Sequence, residues 1–524
     1  MVITVWAGKA RRLAPAGALA VALTTGLAAA GASQPANAAA PSGQTSISLG
    51  GVGHGVAVDP PTDTAYVTVS PSTGTARVAV IDLATDAITA TIPVPNAPKA
   101  IAVDPDTNVV YVLTSDDDSV SVISGATDAV TATIALDARL DDETDGGIAV
   151  DPATGTVYAG IATAGDDGGV AVINGATSTL TTTIATGVGL PEAVAVDPAT
   201  DMVYAGYAVP DDVESPDVYV LNGATNSVSG TIDTPASLEN LAVDPVSGLF
   251  YTANYNETVT GYSLATGAAT GTVNIGGGLV GLAVDPQTAT VFAAPEVGVQ
   301  NVTLISEADN AITGTIPVTA PSRVAVDPDT DTLVGITDAD DATVIPLQPP
   351  AITSATQATF TVGQAGSFTV EGSGTPNPAF TESGSLPAGV TLSTSGTLAG
   401  TPASGTAGIY RFTITASNGV APAAAQAFTL TVDQAPAITS AGEAAFRPGV
   451  SHTFTVRTTG YPAAKVTEQG KLPPGLRFVA NKNGTAVITG KPAAADRGKQ
   501  YVIRLTANNS VSPAAAQRLT IQVT

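Results

Sequence analysis

The chain is poorly supplied with residues that do covalent chemistry. Its 524 residues include no Cys and only two His, His54 and His452, far apart in sequence. A nucleophile needs a base beside it, and a zinc centre needs three or four thiolate, imidazole or carboxylate ligands, so catalytic triads and His-rich metal centres are excluded from any one site. What remains is carboxylate chemistry, because 45 Asp and Glu stand against 19 Lys and Arg. Two carboxyl groups roughly 5–10 Å apart suffice for glycoside cleavage, and several together attract a hard cation.

The acids are grouped. Asp116, Asp117 and Asp118 form one run, and Asp141, Asp142, Glu143 and Asp145 another. Further groups are Asp166 and Asp167, then Asp211, Asp212 and Glu214, then Glu257, and finally Asp338, Asp340 and Asp341. None has the D-x-D-x-D-G spacing of a dedicated calcium loop. The expectation is a diffuse surface for Ca²⁺ or a cationic ligand, with Asp116, Asp117, Asp118, Asp141, Asp142, Asp145, Asp338, Asp340 and Asp341 as the candidate metal-contacting residues. Binding there would be weak and salt-sensitive, as it is for exposed charges. The plainer alternative is a solvated acidic surface. No catalytic residue and no organic cofactor is assigned.

A repeat supplies the elements that position these runs. Asp59-Pro60, Asp104-Pro105, Asp151-Pro152, Asp197-Pro198, Asp244-Pro245, Asp285-Pro286 and Asp327-Pro328 recur at intervals of 45, 47, 46, 47, 41 and 42 residues, each after a short apolar strand such as "VAVDP". That is the period of a four-stranded propeller blade. In the fourth copy "EAVAVDP", "MVYAGYA", "DVYVLNG" and "SVSGTID" read as strands a to d. The repeated Asp suits a turn, since its side chain accepts from the backbone two residues on while Pro presets φ. Seven residues after each Asp stand Tyr66, Tyr111, Tyr158, Tyr204, Tyr251, Phe292 and Val334, a bulky rank that would fill the space between stacked blades.

The last copy lacks a fourth strand, and "TSISLG" at 45–50 is a spare one. The fold expected is therefore all-β: a seven-bladed propeller over 41–348, closed by its N-terminal strand, which removes free edges. In such blades the b–c and d–a connections share a face, so the acidic runs fall on one rim. Five residues before each repeated Asp lie His54, Lys99, Gly146, Glu192, Glu239, Val280 and Ser322. They read as the mouth of a central channel, with Glu192 and Glu239 as candidate ligands or acids, or as a variable loop position.

By "VDPATGTVYAG", "VINGATSTLTTTI" and "FYTANY" the first three fifths of the chain resembles the YVTN-type, surface-layer-associated β-propeller family. The resemblance implies a scaffold of exported and surface proteins and names no ligand. Trp6 is the sole Trp, which argues against the tryptophan-docked quinone propellers.

From Pro350 the period changes. "PAITSA" at 350–355 returns at 436–441, and "PAAAQ" at 422–426 returns at 513–517. Alternating runs such as "YRFTITAS" point to two Ig-like sandwiches, 349–432 and 433–524, without the usual Cys pair. The run "LPAGVTLSTSGTLAGTPASGTAGIYRFTITASN" resembles the putative Ig, cadherin-like domains of bacterial surface proteins, which implies spacer or adhesive units. Cadherin relatives bind calcium between domains. The junction here, Asp433-Gln434-Ala435-Pro436, offers a single carboxylate where calcium takes six to eight oxygens.

Residues 1–40 read as a signal peptide, with Lys9, Arg11 and Arg12, an apolar stretch, and a small-x-small cleavage site at Ala36-Asn37-Ala38. The Arg pair leaves the twin-arginine and general routes both open. No later apolar run is long enough for a membrane span. Charge is split: 40–348 has 4 basic and 39 acidic residues, a net of -35, and 433–524 has 11 basic and 4 acidic, a net of +7. The overall -26 disfavours a nucleic-acid partner. The functional expectation is a non-catalytic secreted or cell-surface binding or adhesion protein. Its partner would be an extracellular protein, a glycan or an envelope polymer, with the basic end module as spacer or non-covalent anchor. The alternative is a propeller hydrolase or lyase using channel-mouth carboxylates.

Overall fold

The computed structural model describes residues 44–136, 138, 140, 146–162, 168–187, 189–207, 218–234, 237–295, 301–318, 321–337, 340–420 and 422–524. The segment 1–40, expected to be a signal peptide, lies outside these residues, as do Asp141, Asp142, Glu143, Asp145, Asp166, Asp167, Asp211, Asp212, Glu214 and Asp338. Among the described residues, regular structure is β apart from two short 3-10 turns, and no helix is long and apolar enough to cross a membrane.

The first sheet shows how the repeat folds. Val52–Asp59, Thr64–Ser70, Arg77–Asp82 and Ala87–Pro93 pair in chain order as antiparallel neighbours, strands a to d. Their Val, Ile and Thr side chains suit a pleated surface. Left-handed Asp63 and Asp86 turn the chain between strands, a conformation short polar side chains tolerate. The same four-strand order follows from Pro98–Asp104, Ile148–Asp151, Ala193–Asp197, Leu238–Asp244 and Leu279–Asp285. A further sheet has Pro321–Asp327, Thr332–Thr337 and Asp341–Pro346, and its fourth strand is Thr45–Ser48, antiparallel to Asp341–Pro346. The a strands of successive sheets touch, and Pro321–Asp327 touches Val52–Asp59. Arg77 pins the chain after the N-terminal strand by donating to the Leu49 and Gly50 carbonyls at 2.6 and 3.1 Å.

The core lies in the seams between sheets, where strands b and c are almost wholly buried while the d strands are largely exposed. In the seam between the last sheet and the first, Ile47 and Leu49 pack with Val67, Val334 and Ile336. Tyr66, Tyr111, Tyr158, Tyr204, Tyr251, Phe292 and Val334 are all buried, so the bulky rank is packing material. The Tyr66 hydroxyl reaches Asn108 of the next sheet at 3.2 Å, and that of Tyr158 reaches Asp201 at 3.2 Å.

The repeated Asp residues are buried too, and they hold the a–b turns from inside. Asp104 accepts from the Asp106 amide and the Thr107 hydroxyl, Asp151 from Ala153 and Thr154, and Asp197 from Ala199 and Thr200.

Downstream, two sandwiches repeat one topology. In the first, Gln357–Thr361, Ala424–Ile438, Gly408–Ser417 and Ala379–Gly384 form one sheet, and Gly366–Thr369, Thr397–Gly400 and Val390–Leu392 face it. In the second, Glu443–Phe446, Ala515–Val523, Gln500–Asn508 and Lys465–Gly470 form one sheet, faced by His452–Val456, Ala486–Gly490 and Leu476–Ala480. Ala424–Ile438 runs on to pair with Thr458–Tyr461 of the second sandwich. An Asn clamp recurs at each module start. The Asn418 amide donates to the carbonyls of Gln348 and Pro376 at 2.8 and 2.7 Å, and the Asn509 amide to those of Gln434 and Pro462 at 2.8 Å each. Val420, beside the first clamp, is buried with Phe292 and Leu304 of the propeller-like sheets.

Candidate functional site

The a strands converge on a cavity of about 230 Å³. Its wall takes the residue four places before each repeated Asp: Gly55, Ala100, Gly147, Ala193, Asn240, Gly281 and Arg323. Five are small, as strands crowded around an axis require. Asn240 and Arg323 break the pattern, and His54 and Glu192 add two more polar side chains from one place earlier. Arg323 is one of 4 basic residues against 39 acidic ones over 40–348.

The ring expected from the repeat lies one residue early in three of the sheets. Lys99, Glu239 and Ser322 are not in the lining, and Ala100, Asn240 and Arg323 are. The pairing register slips at this place in those sheets, as it does between Gly53 and Val56 of the first sheet, where His54 stays in the lining. Leu238 pairs with Asn254 and Asn240 with Ala253, which leaves Glu239 as the extra residue, and the register also slips across Val280 and Ser322. In the sheet starting at Pro98 the register slips between Pro98 and Ile101, across Lys99 and Ala100. A bulge re-aims the side chains beside it. Glu192 and Glu239, the two acids singled out from sequence, are not brought together on the wall, which holds Glu192.

The polar groups fall on two sides. Arg323 and His54 come from sheets whose a strands touch, and so do Glu192 and Asn240. One side offers a guanidinium and an imidazole, the other a carboxylate and an amide. The Arg323 guanidinium donates to the Ser322 carbonyl at 3.1 Å, which turns the end of the side chain back against its own strand. The arrangement can hold a small group bearing both charge signs, since charge-assisted bonds act strongly where water is partly excluded.

The acidic runs behave differently from one another. Asp116 is exposed. Asp117 accepts from the hydroxyls of Thr114 and Ser119, each at 2.9 Å, and Asp118, in the left-handed region, accepts from the Leu140 amide at 2.7 Å. Those two carboxylates shape their loop. Asp340 also turns left-handed, and its carbonyl accepts from the Leu49 amide at 2.8 Å. Asp341, expected in the b–c connection, is instead the first residue of strand Asp341–Pro346 and accepts from the Ser46 hydroxyl at 3.2 Å. Among the described residues no three His, Asp or Glu side chains form a group suited to a metal ion. Burial raises the Asp433 carboxyl pKa at the module junction.

Fold and site together define a class, an all-β protein of propeller-like sheets followed by an Ig-like module. The family described as "Putative Ig domain" (He_PIG) matches residues 349–433. No curated protein matches the chain. Among solved structures the chain is similar to hydrazine synthase of Kuenenia stuttgartiensis, at 20% identity over 57% of this chain and 96% of that chain, with a TM-score of 0.48.

Proposed function

We propose that this is an exported, non-catalytic binding protein of the cell surface. In this reading residues 41–348 form a YVTN-type propeller of seven blades closed by Thr45–Ser48, and 349–432 and 433–524 are Ig-like spacers. The propeller channel recognises a small polar group of mixed charge, such as a peptide end or a charged sugar. The observation that carries this is the placing of Arg323, His54, Asn240 and Glu192 on a wall otherwise built of Gly, Ala and apolar side chains. Pockets specify ligands by a few such placed polar groups.

Calorimetric titration against a panel of peptides, charged glycans and divalent ions tests it. A ligand should emerge whose affinity falls at least about tenfold in R323A and in E192Q, as loss of one charge-assisted contact implies. Equal binding by both variants, or no ligand in the panel, refutes the channel reading. Turnover of a panel member that E192Q abolishes would instead identify an enzyme.

A further inference from the structure

The outer face of one sheet in the second sandwich carries two arginines that satisfy nothing among the described residues. Arg504 and Arg518 stand directly opposite each other on Gln500–Asn508 and Ala515–Val523, and Gln469 stands opposite Arg504 on the next strand. Opposed residues of an antiparallel pair hold their Cβ atoms about 4.5–5.5 Å apart, where like charges are destabilising. Both arginines are exposed, and among the described residues neither guanidinium has a hydrogen bond or an ion pair. With Val502 and Ala516 they line a shallow concavity of about 420 Å³.

The pair is not a requirement of the fold. The repeat "PAAAQ" at 422–426 and 513–517 sets Ala427 at the place of Arg518, and its opposite residue is Thr413. The first sandwich thus builds the equivalent pair without charge.

We propose that this face docks on the carboxylate surface of the propeller-like region of a second copy, joining chains head to tail. The charges argue for that occupant: every copy carries 39 acidic against 4 basic residues over 40–348, and 11 basic against 4 acidic over 433–524. Guanidinium forks match carboxylates bidentately, and a cross-strand pair offers two forks at one spot. Because the two surfaces differ, the contact is heterologous, and each added copy leaves a fresh surface at either end.

Sedimentation velocity of the exported chain at about 20 mM and about 500 mM NaCl decides it, since screening lengths differ severalfold between them. Wild type should form concentration-dependent species larger than monomer at low salt and revert to monomer at high salt. R504T/R518A restores the residues of the first sandwich at that register. It should melt like wild type and stay monomeric at both salts. Monomeric wild type at low salt overturns the proposal, as does association that survives in the double variant. Polyglutamate captured by wild type without self-association would show an external polyanion as the occupant, and would overturn it as well.

Discussion

The carboxyl group of Glu307 lies against that of Asp244 across the seam between two neighbouring propeller-like sheets, and both side chains are buried. Among the described residues, neither Glu307 oxygen, nor Asp244 Oδ2, nor the Tyr251 hydroxyl has a conventional donor or acceptor partner. One shared proton satisfies such a carboxyl pair, because two like charges cannot both be held there. Burial first, then Asp244 and Asp285, push the Glu307 pKa up to about 8, while the Ser247 hydroxyl acts the other way. Corresponding places in other sheets hold Gly125, Gly175, Gly223, Leu83 or Leu347, so the acid is peculiar to this seam.

The sign of its pH dependence follows. The folded chain keeps a proton that the unfolded chain releases near the ordinary value of 4.5, so this contribution is complete below about 4.5 and is lost as pH rises through about 8. Burial also raises Asp59, Asp63 and Asp331, in the same direction. Thermal melts should fall from mild acid to about pH 9, and E307Q should flatten that fall. An E307Q curve parallel to wild type would refute the shared proton.

Deleting Thr45–Ser48 should leave Asp341–Pro346 as an unpaired edge and uncover Val334 and Ile336. Unpaired edges recruit other strands. The deletion variant is expected to melt lower and to aggregate on concentration, as light scattering would reveal.

Gly223 leaves room for the Tyr158 hydroxyl and the Asp201 carboxylate, which a Cβ would overlap. Gly223→Ala should cost about 1–3 kcal/mol in denaturant unfolding, the usual range for overpacking. In contrast, Gly155→Ala meets no atom within 4 Å and should be costly only through its left-handed backbone.

Asn418→Ala removes two donated bonds and the acceptor of the Val420 amide at the start of the first sandwich. Leaving buried carbonyls unmet costs about 1–3 kcal/mol each. Limited proteolysis near residue 348 should accelerate in this variant. Asn509→Ala, at a more exposed clamp, should show the smaller effect near residue 434.

Much of this molecule is legible in the chain itself. The Asp-Pro period, the bulky residue seven places later and the "PAAAQ" echo are local or repeated patterns, and local hydrogen bonding and alternation translate them directly into turns and strands. The Asx-type bonds of Asp104, Asp151 and Asp197 need only the next three residues. The channel is different. Asn240 and not Glu239 lines the cavity, beside a register slip that is set by pairing with Asn254 and Ala253 on another strand. Asp117 and Glu257 look alike in sequence, and only the hydroxyls of Thr114 and Ser119, folded around Asp117, spend its charge on the loop. Glu307 and Asp244 likewise meet because two sheets pack face to face. A strand's period is two, so a slip of one residue exchanges the side chain that meets ligand for the one that does not, and that register is a property of the packed sheet rather than of the segment.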